Sequence, residues 1–214
     1  MSLPYLDRLD RERQNVFNKL KPFSNRFILA GGTAIMVQIG HRLSFDFDCF
    51  SEKPLAKTLP RQTKEILGMT VSPFIKTSDL CLLKTKSGIE IHFVFHPYKN
   101  LRKPHVTSSL PVAHLDDLAA NKANVIGRRG AWRDYVDLFF FLKWKLYTIG
   151  KIIELANQKF EGEFNDKLFL EQLTYFSDLD ITPTIFLQES YTPLEIKALL
   201  EKEVGAYVKE RLRI

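Results

Sequence analysis

The chain has 214 residues, of which 45% are hydrophobic and 26% charged, with a formal net charge of +6 at pH 7. This composition predicts a globular protein with material for one large or two small domains. The densest apolar run, residues 136–142, is far shorter than the roughly 20 residues of a membrane helix, and the N-terminus lacks the pattern of a secretory signal. We therefore expect no membrane contact and a cytoplasmic location. The basic excess suits either solubility or a polyanionic partner.

Apolar patterning and turn residues predict the elements of the first half of the chain. In chain order they are a surface helix within 5–20, a strand over 25–30, a buried helix over 33–40, a strand over 45–50, a loop and helix over 54–67, and strands over 71–75, 79–84 and 88–95. Gly40 is the expected stop of the buried helix, and Gly88 the expected turn between the last two strands. A basic loop, 99–103, lies between two prolines.

After residue 113 the pattern becomes helical throughout. The predicted helices cover 115–126, 132–147, 151–160 and 193–212. The predicted fold class is therefore α+β, with a mixed sheet flanked by helices over residues 1–112 and a helical unit over 113–214. The two cysteines, Cys49 and Cys81, fall in strand-like segments and are expected to be buried free thiols.

The first candidate site is a glycine turn between the first strand and the buried helix. Gly31 and Gly32 permit a tight turn that leaves backbone N–H groups open to a phosphate. Thr33 is placed to cap the helix and to donate to a phosphate oxygen. A glycine turn is common, so this pattern alone is weak evidence for a nucleotide.

The second candidate site is a pair of carboxylates on the next strand. Asp46 and Asp48 are two residues apart and so share one face, while Phe45, Phe47 and Cys49 are expected to face the core. Adjacent carboxylates repel unless a cation lies between them, and hard oxygen ligands suit Mg²⁺ or Mn²⁺. Ser44 shares their face and can bond a phosphate or a backbone group.

These segments together resemble a known family. Residues 29–34, Leu-Ala-Gly-Gly-Thr-Ala, and residues 40–50, which begin Gly-His-Arg-Leu-Ser, are similar to the first motif of AbiEii/AbiGii-type nucleotidyltransferases. That family belongs to the nucleotidyltransferase-fold superfamily, and many members are toxins of toxin–antitoxin or phage-defence systems. The resemblance implies binding of a nucleoside triphosphate through Gly31, Gly32, Thr33 and Ser44, and of a metal through Asp46 and Asp48.

The resemblance continues over residues 116–122 and 128–142. It implies a site lysine at Lys122, which would neutralise the charge of the triphosphate, and a site carboxylate at Asp137. Asp134 lies three residues before Asp137, on the same helix face, so either carboxylate can orient Lys122 or an arginine. Arg128 and Arg129 contact phosphate or RNA, or form an ordinary basic loop.

One position departs from the family pattern. The family places a third carboxylate on a later strand, and the matching position here is His92, whereas Glu90 shares its strand face two residues earlier. Three alternatives stay open: Glu90 replaces the missing metal ligand, His92 acts as a metal ligand or general base, or the site is weakened. The spacing of His92 and His96 also permits a zinc site that needs further ligands.

Three functions are compatible with these residues. The first is an enzyme that transfers a nucleotidyl group from a nucleoside triphosphate to a hydroxyl of RNA, tRNA or protein, with Asp46, Asp48, Glu90, His92, Lys122 and Asp137 as candidate catalytic residues and Asp46, Asp48 and Glu90 as candidate metal ligands. A kinase-type transfer on the same fold is its variant. The second is a degenerate nucleotide- or partner-binding module. The third is a basic RNA-binding protein without catalysis. A toxin would also have a cognate antitoxin.

Overall fold

The structure, a computed structural model, describes residues 3–68 and 75–212, without the side chains of residues 75, 76 and 129. The chain divides into two compact units, residues 1–114 and 115–214. The strand predicted over 71–75 lies mostly outside the described residues. No helix in the described ranges is long and apolar enough to cross a membrane.

The first unit is built on a five-stranded mixed sheet, as predicted. Its strands are β1 (Ile28–Ala30), β2 (Phe47–Ser51), β3 (Ile75–Lys76), β4 (Leu80–Lys84) and β5 (Glu90–Phe95). Their order in the sheet is β1-β2-β5-β4-β3. The pair β2–β5 is parallel, and the other neighbours are antiparallel. The turn predicted at Gly88 joins β4 to β5.

The strand register places three functionally distinct positions in one row across the sheet. Asp48 of β2 is paired with Ala30 of β1 on one side and with His92 of β5 on the other. Side chains of directly paired residues on one face are within contact distance. The register therefore brings the residue before the glycine turn, the second carboxylate and the departing histidine together, although they are far apart in sequence.

Three helices complete the first unit: α1 (Arg11–Lys19), α2 (Gly31–Ile39) and α3 (Leu59–Leu67), with short 3₁₀ turns at Leu6–Arg8 and Lys21–Phe23. The surface helix predicted within 5–20 is thus a 3₁₀ turn followed by α1, and Asp10 caps α1 by accepting from the N–H groups of Glu12 and Arg13. Almost every α2 side chain is buried, as expected, and the helix ends before Gly40.

The prediction that Phe45 faces the core is wrong. β2 begins at Phe47, so Phe45 and Asp46 lie in the approach to the strand and do not follow its alternation. Phe47 and Cys49 are fully buried, as expected, but Phe45 is 38% exposed. Arg13 packs over its ring, with the guanidinium carbon 4.9 Å from the ring centroid, and donates through Nε to the Phe45 carbonyl.

The second unit is helical, as predicted. It comprises α4 (Leu115–Arg129), α5 (Trp132–Lys143), α6 (Ile149–Phe160), α7 (Asp166–Thr174) and α8 (Pro193–Leu212). Helix α7 was not predicted; it begins after Asn165, whose side chain accepts a hydrogen bond from the N–H of Leu168. A fully buried ion pair joins α4 to α6, with 2.7 Å between Asp117 Oδ1 and Lys159 Nζ.

Candidate active site

The glycine turn forms the start of α2 directly. Gly31 is the first residue of the helix and has a φ of +64°, a conformation that favours glycine. A Cβ at Gly31 would overlap the carboxylate oxygen Oδ2 of Asp48. The helix start and the Asp48 carboxylate therefore approach each other as closely as the backbone permits, and both the conformation and the space require glycine.

The second glycine makes room for two polar side chains. A Cβ at Gly32 would lie 2.7 Å from Arg42 Nη2 and 2.9 Å from Ser44 Oγ. Arg42 is 2% exposed and Ser44 8% exposed, so both are held by the fold beside the first turn of α2. The N-cap residue, Ala30, has no side chain that can accept a hydrogen bond from the helix. The first N–H groups of any helix have no hydrogen-bond partner inside the helix itself. This arrangement of donors is suited to a phosphate.

Arg42 is a candidate site residue that was not predicted from the sequence. Arg42 belongs to the Gly-His-Arg-Leu-Ser segment, which carries the family resemblance. That resemblance gave Arg42 no role of its own. A buried guanidinium has five donors and stays charged at all relevant pH values. Its place beside Gly32 therefore makes it a further candidate for binding an anion.

The predicted capping role of Thr33 is wrong. Because α2 begins at Gly31, Thr33 lies inside the helix rather than before it. Its buried hydroxyl donates to the main-chain carbonyl of Asp46. The hydroxyl thus links the first turn of α2 to the first carboxylate, and its predicted contact with phosphate stays a prediction.

In the described part of the chain, the acidic residues are not gathered into a group of three around one point. Among the residues that the structure describes, no three His, Cys, Asp or Glu side chains are grouped so as to hold a metal ion. The Asp48 carboxylate lies beside the start of α2, and the main-chain carbonyl of Asp46 accepts a hydrogen bond from Thr33 of the same helix. Metal binding by Asp46 and Asp48 as a pair stays a prediction. A pair fits Mg²⁺ or Mn²⁺, because Mg²⁺ in particular commonly takes one or two carboxylates and completes its shell with water and substrate phosphates.

Glu90 and His92 face one side of β5, as predicted from their spacing, but they bond to each other. His92 Nε2 lies 3.3 Å from Glu90 Oε2, and His92 Nδ1 lies 3.0 Å from Asp48 Oδ1. Glu90 also pairs with Lys84 at 3.2 Å. The imidazole thus lies between the two carboxylates, and metal binding by Glu90 stays a prediction that this geometry does not support.

The carboxylates also change the ionisation of His92. Burial of the ring disfavours the imidazolium and by itself lowers the pKa. The hydrogen bond and charge of Asp48, the hydrogen bond to Glu90 and the charge of Asp46 outweigh it, so the pKa of His92 is raised above its ordinary value. Hydrogen bonds from Lys84 and then from His92 lower the pKa of Glu90. When His92 is protonated, its contacts with Asp48 and Glu90 are ion pairs.

The zinc site considered for His92 and His96 is not formed. The two residues are four apart along β5 and its end, which separates them by roughly 13 Å at the usual rise of a strand. The His96 ring instead lies tilted against the Phe50 ring, with 4.8 Å between the ring centroids.

The helical unit holds the predicted lysine in an ion-pair cluster of its own. Lys122 of α4 lies 2.6 Å from Asp134 Oδ1 and 2.6 Å from Asp137 Oδ2, both on α5. The side chain of Asp137 is fully buried and that of Lys122 is 10% exposed. Asp134 and Asp137 thus share one helix face, and together they fix the position of the Lys122 ammonium.

The positions of Arg128 and Arg129 say little about their predicted contacts with phosphate or RNA. Arg128 is well exposed and lies 3.6 Å from Glu163 in a surface ion pair. The side chain of Arg129 lies outside the described part of the chain. Nothing in the described contacts assigns either residue to a ligand.

The fold is that of the nucleotidyltransferases. A structure of a Helicobacter pylori protein assigned as a nucleotidyltransferase superimposes with a TM-score of 0.59 at 16% identity, covering 94% of this chain and 97% of that one. MenT4, the nucleotidyltransferase toxin Rv2826c of Mycobacterium tuberculosis H37Rv, gives a TM-score of 0.56 at 15% identity, covering 90% of this chain and 81% of that one. The predicted fold class is confirmed.

The sequence itself defines the family. The model of the nucleotidyl transferase AbiEii toxins of type IV toxin–antitoxin systems matches residues 17–206. The chain belongs to this family, and the resemblance noted from its motifs is confirmed. An uncharacterized protein, aq_aa25 of Aquifex aeolicus (strain VF5), is 28% identical over 207 residues, which cover 91% of this chain and 98% of that protein.

Proposed function

We propose that the protein is a metal-dependent nucleotidyltransferase that moves a nucleoside monophosphate from a nucleoside triphosphate to a hydroxyl group of RNA, tRNA or a protein. The observation that carries the proposal is the close approach of the α2 start to Asp48, which requires glycine at position 31. A helix N-terminus attracts phosphate, and a carboxylate beside it would repel phosphate unless a cation lies between them. This combination is suited to a metal-bound nucleotide.

The phosphate-binding part of the proposed site consists of backbone and buried side chains. The N–H groups at the start of α2, the hydroxyl of Ser44 and the guanidinium of Arg42 all lie beside Gly32. These groups would hold the triphosphate in a fixed orientation, and orientation supplies much of the catalysis in phosphoryl and nucleotidyl transfer. The burial of Arg42 and Ser44 keeps the donors in place before the nucleotide binds.

The metal would be held by Asp46 and Asp48. A bound divalent cation in this class of site stabilises charge on the transferring phosphoryl group and on the leaving pyrophosphate. Thr33 fixes the main chain of Asp46, and the pairing of β1 with β2 fixes Asp48 next to the glycine turn. These contacts would limit the movement of both ligands when the cation binds.

Lys122 and Asp137 are proposed as further site residues on the basis of the family resemblance. Within the helical unit, the carboxylates of Asp134 and Asp137 hold the Lys122 ammonium in one position. A fixed ammonium is suited to neutralising a phosphate. Family membership likewise supports a cognate antitoxin as partner and a toxin's action in the cytoplasm.

Transfer from labelled nucleotide tests the proposal. With Mn²⁺ or Mg²⁺, label from an α-labelled nucleoside triphosphate should appear in RNA or protein. Loss of the metal ligands in Asp46→Asn/Asp48→Asn should reduce the rate by more than about a hundredfold, since metal charge stabilisation is worth several kcal/mol. The control is Asp79→Asn, an exposed aspartate of the same unit, which should leave the rate unchanged.

Two results would contradict the proposal. Transfer of label from the γ position alone would indicate a kinase, and equal rates in the double variant and in Asp79→Asn would remove Asp46 and Asp48 from the site. Melting curves of all variants exclude unfolding as the reason for a lost rate.

A second candidate is a nucleotide-binding module with weakened transfer. The observation that favours it is the 3.0 Å contact between His92 and Asp48, because it places an imidazole where the family has an acceptor-activating carboxylate. This module would bind nucleotide and metal, with Asp46 and Asp48 still required, and would transfer label slowly or not at all. Nucleotide binding in the absence of transfer distinguishes it from the first candidate.

A further inference from the structure

A cavity lies in the first unit, at the ends of β2 and β5 that are remote from the glycine turn. It is a cavity of about 210 Å³ at the point where β2 and β5 end, with Ser51 and His96 in its lining. Ser51 follows Asp48 by three positions on β2, so the cavity begins roughly 10 Å along the strand from the metal pair. None of the residues assigned to nucleotide or metal lines it.

Four aromatic residues line the cavity, and three of them, Phe50, His96 and Tyr98, lie against one another. The rings of Phe50 and His96 are tilted by 38° with 4.8 Å between their centroids, and His96 and Tyr98 meet edge to face at 5.0 Å. All three are half-buried, so their rings are held by the protein while part of each surface faces the cavity. Rings fixed in this way offer a stacking surface to a nucleobase, since every base has a π-face.

The charges around the cavity are mainly positive. Arg26 and Lys53 belong to its lining, and so does Asn100 of the basic loop. That loop adds the exposed cations Lys99, Arg102 and Lys103. The acidic residue of the lining, Glu52, lies 3.4 Å from the Asn100 side-chain amide, which donates to it. A cluster of cations around an aromatic cavity is the pattern of proteins that bind single-stranded nucleic acid.

The size of the cavity limits what it can hold. Pockets for drug-sized ligands are usually about 300 Å³ or more. A cavity of about 210 Å³ accommodates one flat ring system and leaves the attached sugar and phosphates outside, next to the cations. An unpaired base of a longer strand meets this requirement.

We propose that the cavity binds one unpaired base of a single-stranded RNA, with Phe50, His96 and Tyr98 as the stacking surface and the surrounding lysines and arginines as phosphate contacts. Duplex RNA is excluded from the cavity because its bases are stacked inside the helix. The proposal concerns binding alone and does not rest on the transfer reaction, so it can fail while nucleotidyl transfer is confirmed.

Fluorescence anisotropy with a labelled single-stranded RNA of about 12 nucleotides tests the stacking surface. The titrations use the full chain without nucleotide and with EDTA. Tyr98→Ala should raise the Kd about fivefold or more, whereas Tyr98→Phe, which keeps the ring, should bind as the wild type does. The same strand in a duplex should bind more weakly than the single strand.

The salt dependence of binding tests the phosphate contacts. Lys53→Ala should reduce the slope of log K against log salt, measured from roughly 50 to 200 mM, by about 0.7, the value for one contact to a single strand. Lys86→Ala, which removes an exposed cation from the turn between β4 and β5, should leave the slope unchanged. Equal affinities for the wild type and Tyr98→Ala, or equal slopes for Lys53→Ala and Lys86→Ala, would overturn the proposal. A cavity that receives a protein side chain instead would give both of these results.

Discussion

Gly31 is the residue at which conformation and chemistry coincide. Its φ of +64° is unfavourable for any residue with a Cβ, and the missing Cβ is also what lets Asp48 approach the helix start. The two requirements have separate costs, because the first concerns the backbone alone and the second concerns the neighbouring carboxylate. Another glycine of the same unit allows them to be measured separately.

We predict that Gly31→Ala lowers the free energy of unfolding by roughly 3 kcal/mol and reduces nucleotide binding. About 1 kcal/mol of this is the cost of a Cβ at positive φ, and the rest is the displacement of Asp48. Gly68→Ala is the matched control, because Gly68 has a φ of +62° but no atom of the described residues lies within 4 Å of its Cβ position. It should lose only about 1 kcal/mol in chemical denaturation. If both variants lose the same free energy of unfolding, the displacement of Asp48 by a Cβ at position 31 costs no stability.

At the scale of elements, the parallel pairing of β2 with β5 determines the chemistry next to Asp48. The register places His92 opposite Asp48, and the hydrogen bond between their side chains follows from that pairing. A carboxylate at position 92 would occupy the same place in the row. The exchange therefore tests whether this position governs metal binding.

We predict that His92→Asp lowers the Tm of the metal-free protein and increases its response to Mn²⁺. Without metal, like charges at positions 48 and 92 should cost about 1 kcal/mol, or roughly 2–4 °C in Tm for a chain of this size. With Mn²⁺, the added ligand should make the rise in Tm larger than in the wild type. His92→Asn, which adds no charge, is the control. A rise in His92→Asp no larger than in His92→Asn would show that position 92 does not face the metal.

The pairing of α4 with α5 through Lys122 provides a second test at this scale. Lys122→Met keeps the apolar stem but leaves the buried Asp137 without its cation, and we expect a loss of about 3 kcal/mol in the free energy of unfolding. Lys151→Met, which removes an exposed pair with Glu154, should lose less than about 1 kcal/mol.

A double variant separates stability from activity in the same cluster. Lys122→Met/Asp137→Asn removes the cation together with the buried charge and should recover part of the lost stability. If Lys122 acts on the nucleotide, transfer should stay low in this variant although the fold is restored. Recovery of transfer together with stability would assign Lys122 a structural role alone.

The elements also show what a sequence reveals and what it does not. Helix α2, its end at Gly40 and the turn at Gly88 follow from local patterns, and they were predicted. Helix α7 and the approach to β2 at Phe45 were not, because a short amphipathic segment and a strand boundary depend on neighbouring elements. The contact between His92 and Asp48 depends on the register of two strands that are distant in the chain, which no local pattern determines. Arg42 was missed for a similar reason, since only the packing beside Gly32 shows where its guanidinium lies.

For the whole molecule, the two units differ in the way they hold their charged residues. The first unit keeps Asp46, Asp48 and His92 partly exposed on or just before two interior strands of its sheet. The second unit buries ion pairs between helices, formed by Lys122 with Asp137 and by Lys159 with Asp117. Buried pairs are costly to break and are suited to fixing helices, while partly exposed carboxylates remain open to a cation. The positive charge lies in the first unit, since residues 1–114 have 17 Lys and Arg against 9 Asp and Glu, whereas residues 115–214 have 14 against 16. A general attraction for polyanions therefore belongs to the first unit.

The row formed by Ala30, Asp48 and His92 also has an evolutionary consequence. Histidine and aspartate codons differ by one base, and position 92 lies on a strand whose core contacts are made by its buried neighbours Ile91 and Phe93. A single nucleotide change can therefore exchange an imidazole for a carboxylate beside Asp48 without altering the core or the glycine turn. Related genes can thus exchange an imidazole for a carboxylate at this position in one mutational step, while the fold and the glycine turn are inherited intact.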